Sequence, residues 1–238
     1  MTQIKVVYHV TDLLGWEIIT NEQMFLLESS GLMDNAEIYM NLHYNEESFN
    51  DLKIAYNDRP NIHWIFRNDA VPEDREVPSA ILMKELADSN NDECYMLYLH
   101  QKGIMHQNVH NWHGRQEAET KYWRWLMQYW SIERWQDCIA KLQEGYDRVG
   151  CLYSESIPWA PSLGGTIGWT TASFLRKCNK FQLPSKLNFV SQIHPSSKVH
   201  WDVEQWWGAN GAHHYSFYQD SLNRDFYNFR CKPALYRR

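Results

Sequence analysis

Glu93-Cys94-Tyr95-Met96-Leu97-Tyr98-Leu99-His100-Gln101-Lys102-Gly103 begins as a short apolar run without helical period and stops in a polar tripeptide and a glycine. Such a run reads as a buried strand. Open α/β sheets bind ligands outside the carboxyl ends of their strands, so His100, Gln101 and Lys102 would stand where a ligand is met. Whether the rest of the chain builds such a sheet decides the fold.

Working back toward the N-terminus, strands and helices alternate. Ile4 to Val10 is β-branched and reads as a buried first strand. Trp16 to Ser30 carries apolar residues at helical spacing, and Gly31 stands where a C-cap belongs. Ala36 to His43 alternates, with Ile38, Met40 and Leu42 on one face. Glu46 to Tyr56 reads as a short helix, Asn57 to Pro60 as a turn, Ile62 to Phe66 as a third strand, and Pro78 to Ala87 as a helix with proline in its first turn. The order β-α-β-α-β-α-β predicts an α/β fold with a mostly parallel sheet flanked by helices. No G-x-G-x-x-G follows the first strand and no G-x-x-x-x-G-K-[ST] occurs, which excludes a standard dinucleotide fold and a P-loop enzyme.

Toward the C-terminus the pattern changes. Residues 104–112 form a loop rich in His and Asn, followed by a Trp-rich helical segment around 112–144. Its Trp123, Leu126, Met127, Trp130, Trp135, Ile139 and Leu142 recur at helical spacing and are expected to pack on the sheet. Asp147 to Tyr153 reads as a fifth strand, Pro158 to Gly165 as a loop, Thr166 to Trp169 as extended chain and Thr170 to Cys178 as a helix. Pro184 to Ser197 reads as loop and Trp201 to Ala209 as a short helix, while the last ~25 residues have no clear period.

The totals narrow the function. A chain of 238 residues fits one domain, and 44% hydrophobic residues are ample for a core. A net charge of −6 excludes wholesale electrostatic binding of nucleic acid but leaves a local basic groove open. Twelve Trp and 14 Tyr exceed what a core needs, and such rings bind sugar faces and bases or anchor interfaces. Five cysteines without a C-x-x-C pair point to reduced thiols and a cytoplasmic protein. Neither a signal peptide nor a membrane span is expected.

Three stretches could carry chemistry. Lys102 beside Gly103, with Arg115 downstream, would set positive charge against a phosphate, and glycine lets backbone approach closely; an ordinary turn lysine is the other reading. Gly164 and Gly165, followed by Thr166 and Trp169, would line a bound group or form a tight turn. Asp202 and Glu204 stand at a helix start, where one would serve as a general base or both as first-turn caps. His100, His106, His110 and His113 cluster in sequence, but without the H-E-x-x-H context of a metal site. There is no G-x-S-x-G and no cysteine in a recognisable nucleophile setting.

In their order these features resemble a glycosyltransferase of the GT-A fold, and more closely the viral and bacterial glycosyltransferase-like proteins carrying a Tyr-x-His-x-Lys-Gly segment. The matching residues are Tyr8-His9-Val10, then Tyr98 to Gly103, then Gly145-Tyr146-Asp147-Arg148-Val149-Gly150, Gly164-Gly165-Thr166 with Trp169, and Glu204-Gln205-Trp206. The resemblance covers most of residues 4–207 and implies one glycosyltransferase-like domain: a nucleotide-binding half over 1–103, and a helical segment with an acceptor half over 104–238. It implies transfer of a sugar from a nucleotide-sugar donor to a hydroxyl of a glycan or of a modified phage DNA base, in the cytoplasm (the host's, for a viral protein). His9, Val10 and Thr11 would contact the nucleotide, and His100, Gln101, Lys102 and Arg115 the diphosphate. Gly164, Gly165, Thr166 and Trp169 would line the sugar or acceptor site, with Glu204, or else Asp202, as catalytic base. Most GT-A enzymes place Asp-x-Asp with Mn2+ or Mg2+ at the end of the fourth strand; His100-Gln101-Lys102 stands there instead, so Lys102 and His100 are expected to neutralise the charge that a cation neutralises elsewhere. Two readings of other classes compete: a non-catalytic module binding carbohydrate or single-stranded nucleic acid on exposed rings, and a metal-dependent hydrolase built on the His cluster.

Overall fold

The computed structural model describes residues 2–13, 15–43, 45–67, 69–71, 74–89, 91–104, 114–154, 162–163, 166–188, 190–193, 202–219 and 231–232, with backbone alone for 114–119, 154 and 162. Strands β1 (Gln3–Thr11), β2 (Glu37–His43), β3 (Ile62–Phe66) and β4 (Cys94–His100) alternate with helices α1 (Trp16–Ser29), α2 (Asn50–Ala55) and α3 (Val77–Asp88). Then come α4 (Gly114–Gln128), a π-helical turn (Tyr129–Glu133), α5 (Trp135–Gln143), β5 (Arg148–Gly150), β6 (Tyr153–Ser154), β7 (Ser162–Leu163), β8 (Gly168–Thr171), α6 (Ala172–Lys177), α7 (Asp202–Ala209) and β9 (His214–Ser216).

Seven strands form one sheet in the order β3-β2-β1-β4-β8-β5-β9, and β6 pairs with β7 apart from it. The four N-terminal strands are mutually parallel. Strand β8 runs antiparallel to both β4 and β5, and β9 is parallel to β5. Parallel pairing in register carries His9 level with His100, and Thr11 level with His43. One edge of the sheet therefore collects the ends of β1, β2 and β4.

The period of two along each strand sorts the core into two layers. Tyr8, Val10, Leu97, Leu99, Val149 and Trp169 join the layer that contains residues of α1, α4 and α5. Val7, Met96 and Tyr98 join the opposite layer, with residues of α3, α6 and α7. Trp123, Trp169, Trp206 and Trp207 are all buried, so these tryptophans are core.

Several boundaries differ from the sequence reading. Thr170 and Thr171 belong to β8 rather than to the following helix: they pair with Met96 and Tyr95, and the Thr171 hydroxyl caps α6 by accepting from Phe174 N at 3.2 Å. β-Branched residues suit a half-buried strand, and threonine suits an N-cap. The fifth strand breaks after Gly150, where Leu152 turns to φ 63°. The predicted long helix is split by the π turn, whose Ser131 carbonyl accepts from Trp169 Nε1 at 2.7 Å. Strand β9 lies in the segment whose sequence has no clear period.

Beyond β4 the chain turns at once. Lys102 N donates to His100 O at 2.9 Å and Ile104 N to Gln101 O at 3.0 Å. Arg124 Nη1 of α4 donates to Lys102 O at 3.1 Å. Gly103 takes φ 92°, and a Cβ there would stand 2.7 Å from Thr120 Cγ2. Gly103→Ala is expected to cost about 2 kcal/mol, from the left-handed backbone and the displaced threonine, read as a lower urea midpoint with unchanged slope.

Candidate active site

At the carboxyl edge of the sheet, ionisable groups from three parts of the chain meet at the end of β4. His100, at its last position, is buried; its Nδ1 lies 3.0 Å from Glu76 Oε1, just ahead of α3. Glu76 also accepts from Tyr98 Oη at 3.2 Å. Burial would raise the Glu76 carboxyl, but His100, then His9 and Lys102, overcome this and bring it to about 2. Glu76 is therefore an anion at neutral pH.

Lys102 stretches across the edge with its Nζ 4.1 Å from the centroid of Trp123 and 3.9 Å from Glu204 Oε1 on α7. An ammonium over an aromatic face is favourable, and more so when shielded from water. Burial raises the Glu204 carboxyl, and Glu76 adds to the rise; Lys102, His100 and Thr166 oppose it. A carboxylate lifted by burial and poised against a cation is the usual environment of a general base.

The two carboxylates of α7 do different things. Asp202 is fully buried and accepts from Ser191 Oγ at 2.6 Å and Gln192 N at 3.0 Å, bracing the preceding loop. Glu204 is the one that reaches the ionic cluster. Residues two apart on a helix lie about 200° apart around its axis, so both cannot face one site.

The other predicted residues divide by what their side chains touch. Gln101 is spent inside the fold: its Oε1 accepts from Thr11 N at 2.9 Å and Thr11 Oγ1 at 3.1 Å, and its Nε2 donates to Thr20 Oγ1 at 2.8 Å and Trp16 O at 3.3 Å. It ties β4 to the β1–α1 connection. Val10 is fully buried in the core. Trp169 points to the opposite face of the sheet from Tyr98 and is not brought to Glu204. Gly164, Gly165, His106, His110, His113 and the side chain of Arg115 lie outside the described residues. Glu76 is the member that the motif reading overlooks. An acid just before a helix with proline at its start reads as ordinary first-turn chemistry, and only the packing of α3 sets it against His100.

Behind this cluster lies a second buried polar group. His9 Nδ1 is 2.9 Å from Ser79 Oγ, Asn41 Nδ2 donates to the same Ser79 Oγ at 2.7 Å, and the His9 and His43 rings stand 4.4 Å apart. Burial, with a lesser push from His100, lowers His9 to about 4 despite the pull of Glu76. Burial, His9 and Arg67 lower His43 to about 2. Both rings are neutral in the folded protein and take up protons on unfolding below about 6.5. Their contribution to stability is thus complete above pH 6.5 and is lost as pH falls toward 4 for His9 and 2 for His43. Unfolding free energy from urea titrations is expected to drop by up to about 1.4 kcal/mol per pH unit per histidine between pH 6 and 5, and His9→Asn should remove one such increment.

A divalent cation does not suit these side chains. Gln101 is saturated, the Nδ1 of His100 is committed to Glu76, and the Lys102 ammonium occupies the approach to Glu204. Among the described residues no group of three or more His, Cys, Asp and Glu has the arrangement of a metal centre. Nor, among those residues, is any helix long and apolar enough to cross a membrane.

No protein-family model matches the chain, and no curated protein matches it. Among solved structures it is similar to one from Desulfovibrio desulfuricans G20, described as a "putative nucleotide-diphospho-sugar transferase", with a TM-score of 0.39 and 10% identity over 92% of this chain and 81% of that one.

Proposed function

We propose that the chain transfers a sugar from a nucleotide-sugar donor to a hydroxyl of a glycan acceptor. The observation that carries this reading is the meeting of Lys102 with a half-buried Glu204, 3.9 Å apart, at the carboxyl edge of a mostly parallel sheet. Ligands of open α/β sheets lie along that edge. The motif order from Tyr8-His9 through Tyr98-Leu99-His100-Gln101-Lys102-Gly103 to Glu204-Gln205-Trp206 supports the same assignment.

The chemistry follows from the charges. Glu204 takes the proton of the acceptor hydroxyl, whose oxygen forms the new bond to the anomeric carbon. The bond from that carbon to the diphosphate breaks, and its electron pair leaves with the nucleoside diphosphate. Lys102 stabilises the charge that develops on the leaving oxygen, the task that most GT-A enzymes give to a metal ion. His100, held by Glu76, stands beside it as a second contact for the diphosphate. The net charge of −6 favours a glycan over DNA as acceptor.

The test is a thermal-shift series of nucleoside diphosphates and nucleotide-sugars, each with and without Mn2+, followed by assay of sugar release to water and to glycan acceptors. One diphosphate family is expected to raise the melting temperature, since a ligand at 100 times its Kd adds about 2.7 kcal/mol. The shift should not depend on Mn2+. A series in which no nucleotide stabilises the protein, or in which one binds but its sugar is never released, would overturn the reading.

A further inference from the structure

We infer that Arg124 is the positioning residue of Lys102: clamped by Glu22, its guanidinium fixes the Lys102 carbonyl and with it the direction in which the lysine side chain crosses the sheet edge. This deepens the reading above and rests on Lys102 being the group that meets the donor diphosphate.

A lysine makes a precise contact only if something aims it. Its ammonium is a point charge on a flexible four-carbon stem, and electrostatic stabilisation depends on charge that is in place before the reaction begins. Lys102 stands beyond the last residue of β4, His100, where pairing within the sheet no longer holds the chain.

Helix α4 takes over that task. Thr120, Trp123 and Arg124 stand three and four positions apart and so share one face of the helix. All three are buried, and all three meet the Lys102-Gly103 turn. Thr120 Cγ2 fills the space that a side chain at Gly103 would take. The Trp123 ring receives the Lys102 ammonium, 4.1 Å from its centroid. Arg124 Nη1 donates to the Lys102 carbonyl at 3.1 Å. The other edge of the same guanidinium is held from α1: Nε donates to Glu22 Oε1 at 3.0 Å and Nη2 to Glu22 Oε2 at 3.4 Å. Trp125 Nε1 donates to Glu22 Oε2 at 3.0 Å. Burial would raise the Glu22 carboxyl, but Arg124, with Trp125 and Gln128 behind it, brings it below the usual range.

The planar fork of Arg124 thus bridges α1 to the backbone of Lys102. On its other side, Lys102 N donates to His100 O at 2.9 Å, so both peptide groups of the lysine are held. A turn that only closed the chain would need none of this. Taking a guanidinium and a carboxylate out of water is costly, and apolar side chains would join α1 to α4 at lower cost. What the polar arrangement adds is direction. The fixed carbonyl sets where the stem begins, and Trp123, the next residue along α4, sets where the ammonium ends, 3.9 Å from Glu204 Oε1.

The experiment reads the Lys102 methylene next to Nζ by proton–carbon NMR in substrate-free protein labelled at lysine, with the resonance assigned by its absence in Lys102→Met. Protons over an aromatic face resonate upfield, so this methylene is expected upfield of a solvated lysine; finding it at the solvated position would already overturn the proposal. In Arg124→Met it is expected to lose most of that displacement. Arg124→Lys restores a charge opposite Glu22 but not the two-edged fork, so it should be more stable than Arg124→Met and yet lose the displacement too. A role confined to joining α1 and α4 would lower the stability of Arg124→Met and leave the Lys102 resonance in place, and that result overturns the proposal. Should Arg124→Met fail to fold, Arg124→Lys decides: a resonance still at its wild-type position sinks the idea. No substrate enters the measurement, so it reports on Arg124 even if no donor is ever turned over. With turnover in hand, Arg124→Met should lower kcat/KM about 10²-fold, as a misplaced stabiliser does. Added to Lys102→Met it should cost nothing further, because residues that act as a unit are not additive. An equal loss in both backgrounds would show Arg124 acting apart from Lys102 and would refute the assignment.

Discussion

Glu204→Gln is expected to lower kcat by 10²- to 10⁴-fold while KM for the donor changes little, the range that loss of a positioned general base produces. Glutamine keeps the shape of the side chain and its reach toward Lys102, so the loss reports on the proton acceptor rather than on packing. The wild-type pH profile carries the sign. Burial raises the Glu204 carboxyl and Lys102 only partly offsets that, so the base is available above a raised pKa and is lost as pH falls through it. The acid limb of kcat/KM should vanish in Glu204→Gln. Asp202→Asn is the contrast: with its carboxylate spent on Ser191 and Gln192, it should lose about 1–3 kcal/mol of stability and keep kcat within a few-fold. Full turnover in a folded Glu204→Gln protein would remove the base assignment.

Lys102→Met is expected to reduce kcat/KM by 10²- to 10³-fold, the cost of removing one electrostatic stabiliser from a partly dry site. Methionine preserves contact with Trp123 but brings no charge, so the fall should appear in donor affinity and in kcat together. Lys102→Arg should recover a large part of both, because a guanidinium still donates to phosphate oxygens. Added Mn2+ should not restore Lys102→Met, since Gln101 and His100 are already committed to protein partners. Unchanged donor affinity and turnover in Lys102→Met would refute the role given to this lysine.

Much of the site was legible where a local rule acts. The apolar run from Cys94 to Leu99 reads as a buried strand, and in a parallel sheet its polar end stands at the carboxyl edge. That reasoning reached His100 and Lys102. It also reached Gln101, whose side chain turns inward, because a position at a strand end does not say whether an amide meets a ligand or closes the β1–α1 connection. The spacing of Asp202 and Glu204 says that they diverge around the helix, but not which one faces the crevice. Glu76 escaped altogether: it resembles a first-turn acid, and its partner His100 stands 24 positions away. Arg148 entered only as a member of the Gly145 to Gly150 motif, with nothing to mark its contact with Thr166, 18 positions away.

The alternation of apolar strands with amphipathic helices was decided within stretches of about ten residues, by side-chain period and turn chemistry, and there the chain needed no partner to be read. The convergence of Glu76, His100, Lys102 and Glu204, the left-handed Thr166, and the burial of Arg148 against Trp207 were decided only when the sheet closed around β8 and α7 packed beside α3. Charge and desolvation act through space rather than along the chain. The properties of Glu204 on which its proposed role rests therefore belong to the assembled fold and not to its own neighbourhood in sequence.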